Sequence, residues 1–220
     1  MIDPTTNKTI RFVDGFKIRN MLDDDFGIIH GFSDTISHYV PKFYIPKDEV
    51  WIDHTHKDEP NFLLKVENLS IPSMLTIYSE IRSYIKKELC LPPPVPDFVQ
   101  ARKQKEDMVI VTIEGDIVRK YLDPEFILGG HALVYDYIPP GEIWLERKIN
   151  PEEISYILLH EEVELAHMKE GKKYEIAHEY ATVADKEQRR LAYGASYPGD
   201  DAYLWRGLHT DDILKQLYVN

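Results

Sequence analysis

The chain of 220 residues is predicted to be an α+β protein built from two tandem related units, each a small antiparallel sheet followed by a helical hairpin. Three observations carry that prediction. A decapeptide recurs: Tyr44-Ile45-Pro46 with Glu49-Val50-Trp51 returns as Tyr137-Ile138-Pro139 with Glu142-Ile143-Trp144, at an offset of 93. Upstream, Gly15, Arg19, Leu22, Asp23 and Phe26 return as Gly115, Arg119, Leu122, Asp123 and Phe126, at an offset of 100. Between the copies stands Leu91-Pro92-Pro93-Pro94-Val95-Pro96, which is neither helix nor central strand, because proline removes an N–H donor and fixes φ. Self-similarity at this period marks repeated structural units. The expected division is a first unit over 1–91, a proline-rich and charged linker over 92–107 and a second unit over 108–220.

The second unit is the more readable. Met108 to Ile113 is apolar and β-branched, hence a strand. Asp116 to Phe126 reads as a short helix or turn, broken near Pro124. His131 to Ile138 alternates and is rich in aromatics, hence a strand, and Pro139-Pro140-Gly141 is a turn into a short strand, Glu142 to Glu146. Asn150-Pro151-Glu152-Glu153 begins a helix, with Asn as cap, Pro in the first turn and acids at the positive helix end. Gly171 ends it, and a second helix follows from Tyr174 to Tyr193. Trp51 and Trp144 read as core anchors.

Composition narrows the function. With 26 Lys+Arg against 38 Asp+Glu the net charge is −12, which disfavours nucleic acid and anionic membrane as partners. The single cysteine, Cys90, excludes an internal disulfide framework. No apolar run approaches the roughly 20 residues of a membrane helix. The first residues lack the basic start and apolar core of a signal peptide, so a cytoplasmic protein is expected.

The string His160-Glu161-Glu162-Val163-Glu164 could do chemistry. Residues four apart share a helix face, so His160 and Glu164 could chelate one ion. Glu161 would then stand beside it as general base for a water on the metal. With Gly171 at the centre of an antiparallel hairpin, Glu164 is seven residues before the turn and His178 seven after, so they lie level. His160, Glu164 and His178 thus form a three-ligand set with a fourth position open, as catalytic zinc requires, although other divalent transition metals suit the same donors. His167 and Glu175, level with each other nearer the turn, either support the ligands from behind or are alternative ligands, and the same holds for His131 after Gly129-Gly130. At an offset of 95 the first unit has Lys65, Val66, Leu69 and Ser83 in place of His160, Glu161, Glu164 and His178, so it reads as degenerate.

The stretch from Gly129-Gly130-His131, through Tyr137-Ile138-Pro139 and Glu142-Ile143-Trp144, to His160-Glu161, Glu164, Met168, Gly171, Tyr174 and Ala177-His178 resembles compact zincin-like metallopeptidases of phage and prokaryotic type, with H-E-x-x-E in place of H-E-x-x-H. The resemblance covers roughly Met108 to Arg190. It implies a peptide or protein substrate and makes Glu142 to Glu146 the strand that holds it, with Glu142 and Trp144 as substrate-binding residues. Two other readings stand beside it. Glu164-x-x-His167 and Glu175-x-x-His178 have the pattern of a di-metal carboxylate protein. The tandem units could instead form a non-catalytic, pseudo-symmetric interaction module that offers acidic faces to a basic partner.

Overall fold

A computed structural model describes residues 7–15, 45–67 and 78–194, together with isolated positions such as Ile2, Ile18 and Leu69. His38, which occupies the position of His131 in the repeated sequence, and the aromatic, acidic tail around Tyr203 and Trp205 lie outside the described residues. The chain is α+β and divides into two units, the first chiefly Met1–Leu91 together with Asp123–Glu125, the second Pro92–Leu122 with Phe126–Gly199. No helix among the described residues is long and apolar enough to cross a membrane.

In the first unit, strands β1 (Thr9–Val13) and β2 (Glu49–Asp53) pair in parallel. Helices α1 (Pro60–Glu67) and α2 (Tyr78–Leu89) follow. Ile10, Val50 and Ile52 from the strands pack with Leu63, Leu64, Ile81 and Ile85 from the helices. After β2, His56 is buried against Glu59, with Nδ1 3.0 Å from Oε1.

The second unit holds a four-stranded sheet in the order β3-β4-β6-β5. Its strands are β3 (Val99–Lys105), β4 (Met108–Ile113), β5 (Gly129–His131) and β6 (Glu142–Glu146). β3 pairs antiparallel with β4, β4 parallel with β6, and β5 antiparallel with β6. Neither sheet is therefore the purely antiparallel one expected, because the crossover through α3 (Gly115–Tyr121) brings β6 alongside β4 in the same direction. The charged stretch Arg102 to Asp107 is no linker either. It is mostly β3, an exposed edge strand that turns into β4 at Glu106, whose φ is +54°. Charge on an edge strand is a common guard against unwanted strand pairing. His131 to Ile138 is a strand only at His131. Val134 and Tyr135 donate back to the His131 carbonyl, and the aromatics serve a cluster of Tyr135, Tyr137, Phe126, Phe98 and Trp144 instead of a ladder.

The alternation along β4 and β6 separates two cores. Val111, Ile113 and Trp144 join Val118, Phe126 and Ile138 on one face of the sheet. Ile143 and Leu145 meet Ile157 and Leu165 on the other, where helix α4 (Ile154–Lys169) packs. Asn150 Oδ1 accepts from the Glu152 N–H at 3.1 Å in the turn before α4. At its far end Gly171 takes φ +88°, with Gly171 N–H donating to Met168 O and Lys172 N–H to His167 O. These are the paired bonds of a Schellman stop, which needs a left-handed residue at that position. Helix α5 (Tyr174–Tyr193) returns along α4.

Candidate metal centre

Helices α4 and α5 face each other through a narrow stripe. Ala177 and Ala181 are fully buried on α5, and their small side chains let the two backbones come close. On that stripe the structure brings His160, Glu164 and His178 together, as the hairpin count predicts. His178 Nδ1 lies 3.0 Å from Glu164 Oε2 and 3.1 Å from His160 Nε2, and His160 Nε2 lies 3.9 Å from the same Glu164 oxygen. Two donors on a tetrahedral ion with bonds of about 2.0–2.1 Å sit about 3.3–3.4 Å apart. Two of the three separations fall slightly below that edge and the third, 3.9 Å, above it, so the three atoms bracket the spacing of a tetrahedral face. Two imidazoles and one carboxylate are also a donor set that catalytic zinc uses.

The surroundings fix this set. His160 Nδ1 is 3.1 Å from Asp185 Oδ2, so it donates there and leaves Nε2 with its lone pair toward Glu164 and His178. Asp185 in turn accepts from Arg189 Nη1 at 2.9 Å, and Arg189 Nη2 reaches within 3.9 Å of buried Glu153. Asp185 and Arg189 are missing from the sequence reading. Their signal is spacing: Asp185 is seven residues after His178 and Arg189 four further on, continuing the buried stripe of α5 with charged residues.

Glu164 is buried, and desolvation alone would raise its pKa. Contacts from His131 and His178 and the charge of His160 outweigh that and hold it down to about 2. It is thus a ready anion at neutral pH. His131 stands at the end of β5, fully buried, with Nε2 3.1 Å from Glu164 Oε1. Glu161 is buried beside it: His131, Glu161 and Glu164 each offer an atom within 4.8 Å of the others. Gly129 makes room for Glu161, since a Cβ there would stand 2.8 Å from Glu161 Oε1.

Other expected residues lie elsewhere. His167 does not meet Glu175. Its Nδ1 is 3.3 Å from Glu170 Oε2 and 2.9 Å from Lys172 Nζ, its ring lies on Tyr180, and Glu175 is exposed. The two E-x-x-H strings thus do not gather a di-metal ligand set. β6 is an interior strand, so it has no open edge to hold extended substrate. Trp144 pairs with Val111 on one side and Gly130 on the other, and its ring is buried in the aromatic cluster. Glu142 accepts from Trp144 Nε1 at 2.8 Å and pairs with Arg102. Both residues are structural, and the strand edge beside α4 belongs to β5. In the first unit Lys65 and Ser83 are exposed, Val66 is buried and Leu69 packs on the core, and neither group of potential ligands found among the described residues falls there. The chain matches no family model, no curated protein and no solved structure, so this centre is read from its own atoms.

Proposed function

We propose that the second unit is a metal-dependent hydrolase, most simply a peptidase, with a divalent transition metal, zinc first, held by His160, Glu164 and His178. The observation that carries this reading is the spacing of 3.0, 3.1 and 3.9 Å among the three donor atoms, backed by a carboxylate on the far nitrogen of His160. When bound, the ion would supply a Lewis acid for a scissile carbonyl and make a water more acidic.

The chain's own residues do the rest. Asp185 fixes the His160 ring and its tautomer. Glu164 contributes the negative charge, and His178 closes the set from the opposite helix. Glu161, on the next position of α4 and turned to the β5 side, takes a proton from water and returns it to the leaving amine. Glu161 is itself buried there, close to His131 and Glu164.

The test is Glu161→Gln, assayed against a peptide panel with metal content measured in parallel. The variant should keep its metal while turnover falls by about 10²–10⁴. Undiminished turnover, or loss of the metal together with activity, would contradict the role given to Glu161.

A further inference from the structure

We propose that His131 is a positioning residue, a proton donor that holds Glu164 by Oε1 so that Oε2 faces His160 and His178. The proposal rests on the reading of those three residues as an ion site. By donor type alone, His131, Glu161 and Glu164 would make a second cation site beside the first, since all three are buried and their donor atoms lie within 4.8 Å of one another. The tautomer of His131 argues otherwise. The backbone N–H of Leu133 donates to His131 Nδ1 at 3.3 Å, so Nδ1 presents its lone pair. In a neutral ring the proton then sits on Nε2. That nitrogen is fully buried and makes no well-directed hydrogen bond, yet stands 3.1 Å from Glu164 Oε1. The contact has the length of a hydrogen bond but not its ideal direction, and carboxylates are the acceptors that surround it. A nitrogen that carries the proton cannot also bind a metal.

Charge agrees with this. Glu161 and Glu164 can together balance at most one divalent ion, whereas a second ion would leave excess positive charge in a buried place. The ring is also held from both sides. The backbone of His131 pairs with Ile143 in the sheet, and the chain turns directly after it to bring the Leu133 N–H onto Nδ1. At Gly130 a Cβ would stand 2.5 Å from the Tyr135 ring, so the strand lies tight against the core. With Oε1 engaged, Glu164 offers one oxygen to the ion, and the fourth position stays available.

The experiment has two parts. Zinc is titrated against a competing chelator in wild type, His131→Gln, His131→Leu, Glu164→Gln and the His131→Leu/Glu164→Gln pair, with unfolding followed for each. The protonated nitrogen of His131 is identified by ¹⁵N NMR with and without zinc. We expect about one zinc per chain, an affinity about 10–100-fold lower in His131→Leu, and recovery of most of that in His131→Gln, whose amide can donate from a similar position. His131→Leu should add little in the Glu164→Gln background, and Nε2 should keep its proton with and without zinc. Two ions per chain, or loss of the Nε2 proton on loading, would make His131 a ligand and overturn the proposal. Unchanged affinity in His131→Leu would reduce it to a packing residue. If wild type binds no zinc, the hydrolase reading fails, and the NMR part still decides: a proton on Nδ1 in the metal-free protein overturns the arrangement, and one on Nε2 upholds it.

Discussion

Asp185 decides which nitrogen of His160 is available. Its contact with Nδ1 at 3.1 Å sets the tautomer, and Arg189 keeps the carboxylate aimed. Replacing Asp185 with Asn should weaken metal affinity about 10–100-fold while leaving the ligands in place, as chelator competition would measure. An affinity equal to wild type would show that the ring is held by packing alone. Much of this residue-scale arrangement is legible in the sequence. H-E-x-x-E places His160 and Glu164 on one helix face, and equal counting from Gly171 brings His178 level with them. The Asp185 contribution is not legible, because a single acid on a charged helix looks the same whether it faces solvent or a half-buried imidazole. His167 and Glu175 fail for the opposite reason: they are level, but neighbours at the turn, Glu170 and Lys172, claim His167 first.

At the scale of elements, the centre depends on how closely α4 meets α5 and β5. Ala181 is fully buried between the two helices, so Ala181→Leu should overpack that stripe by about 1–3 kcal/mol and spread the two histidines. Denaturant unfolding and zinc affinity measured together would show both effects. Gly129→Ala tests the β5 side. Its Cβ would press on the Glu161 carboxylate at 2.8 Å, so turnover should fall more than metal affinity does. The helices were predictable because their signals are local: an Asn-Pro start, a Gly stop and apolar spacing. The strands were less so. β3 carries Arg102, Lys103 and Lys105 and reads as a linker, since an exposed edge has no alternation to betray it. The aromatic run after His131 reads as a strand because packing into a cluster and packing onto a sheet favour the same side chains.

At the scale of the whole molecule, the two units carry the same parallel pairing in the same register. Ile10 stands opposite Val50 as Ile110 stands opposite Ile143, and Trp51 and Trp144 each donate to the glutamate two residues before them, at 2.9 and 2.8 Å. What recurs is scaffold, and among the described residues the candidate ligand groups lie in the second unit. The scaffold of that unit is tied by a buried ion pair, Arg119 Nη1 to Glu146 Oε2 at 2.6 Å, with the Gly115 N–H on the other carboxylate oxygen. Arg119→Met would leave Glu146 charged and buried without its cation, at a cost of about 3–5 kcal/mol in urea unfolding at neutral pH.

The most direct test is elemental analysis of the chain purified without added metal, with wild type and His160→Ala side by side. The account predicts about one zinc, or another transition metal, per chain in wild type and its loss in the variant. Absence of metal in both, with the variant equally folded, would contradict it and leave the half-buried His-Glu-His cluster as a structural network in a duplicated interaction module.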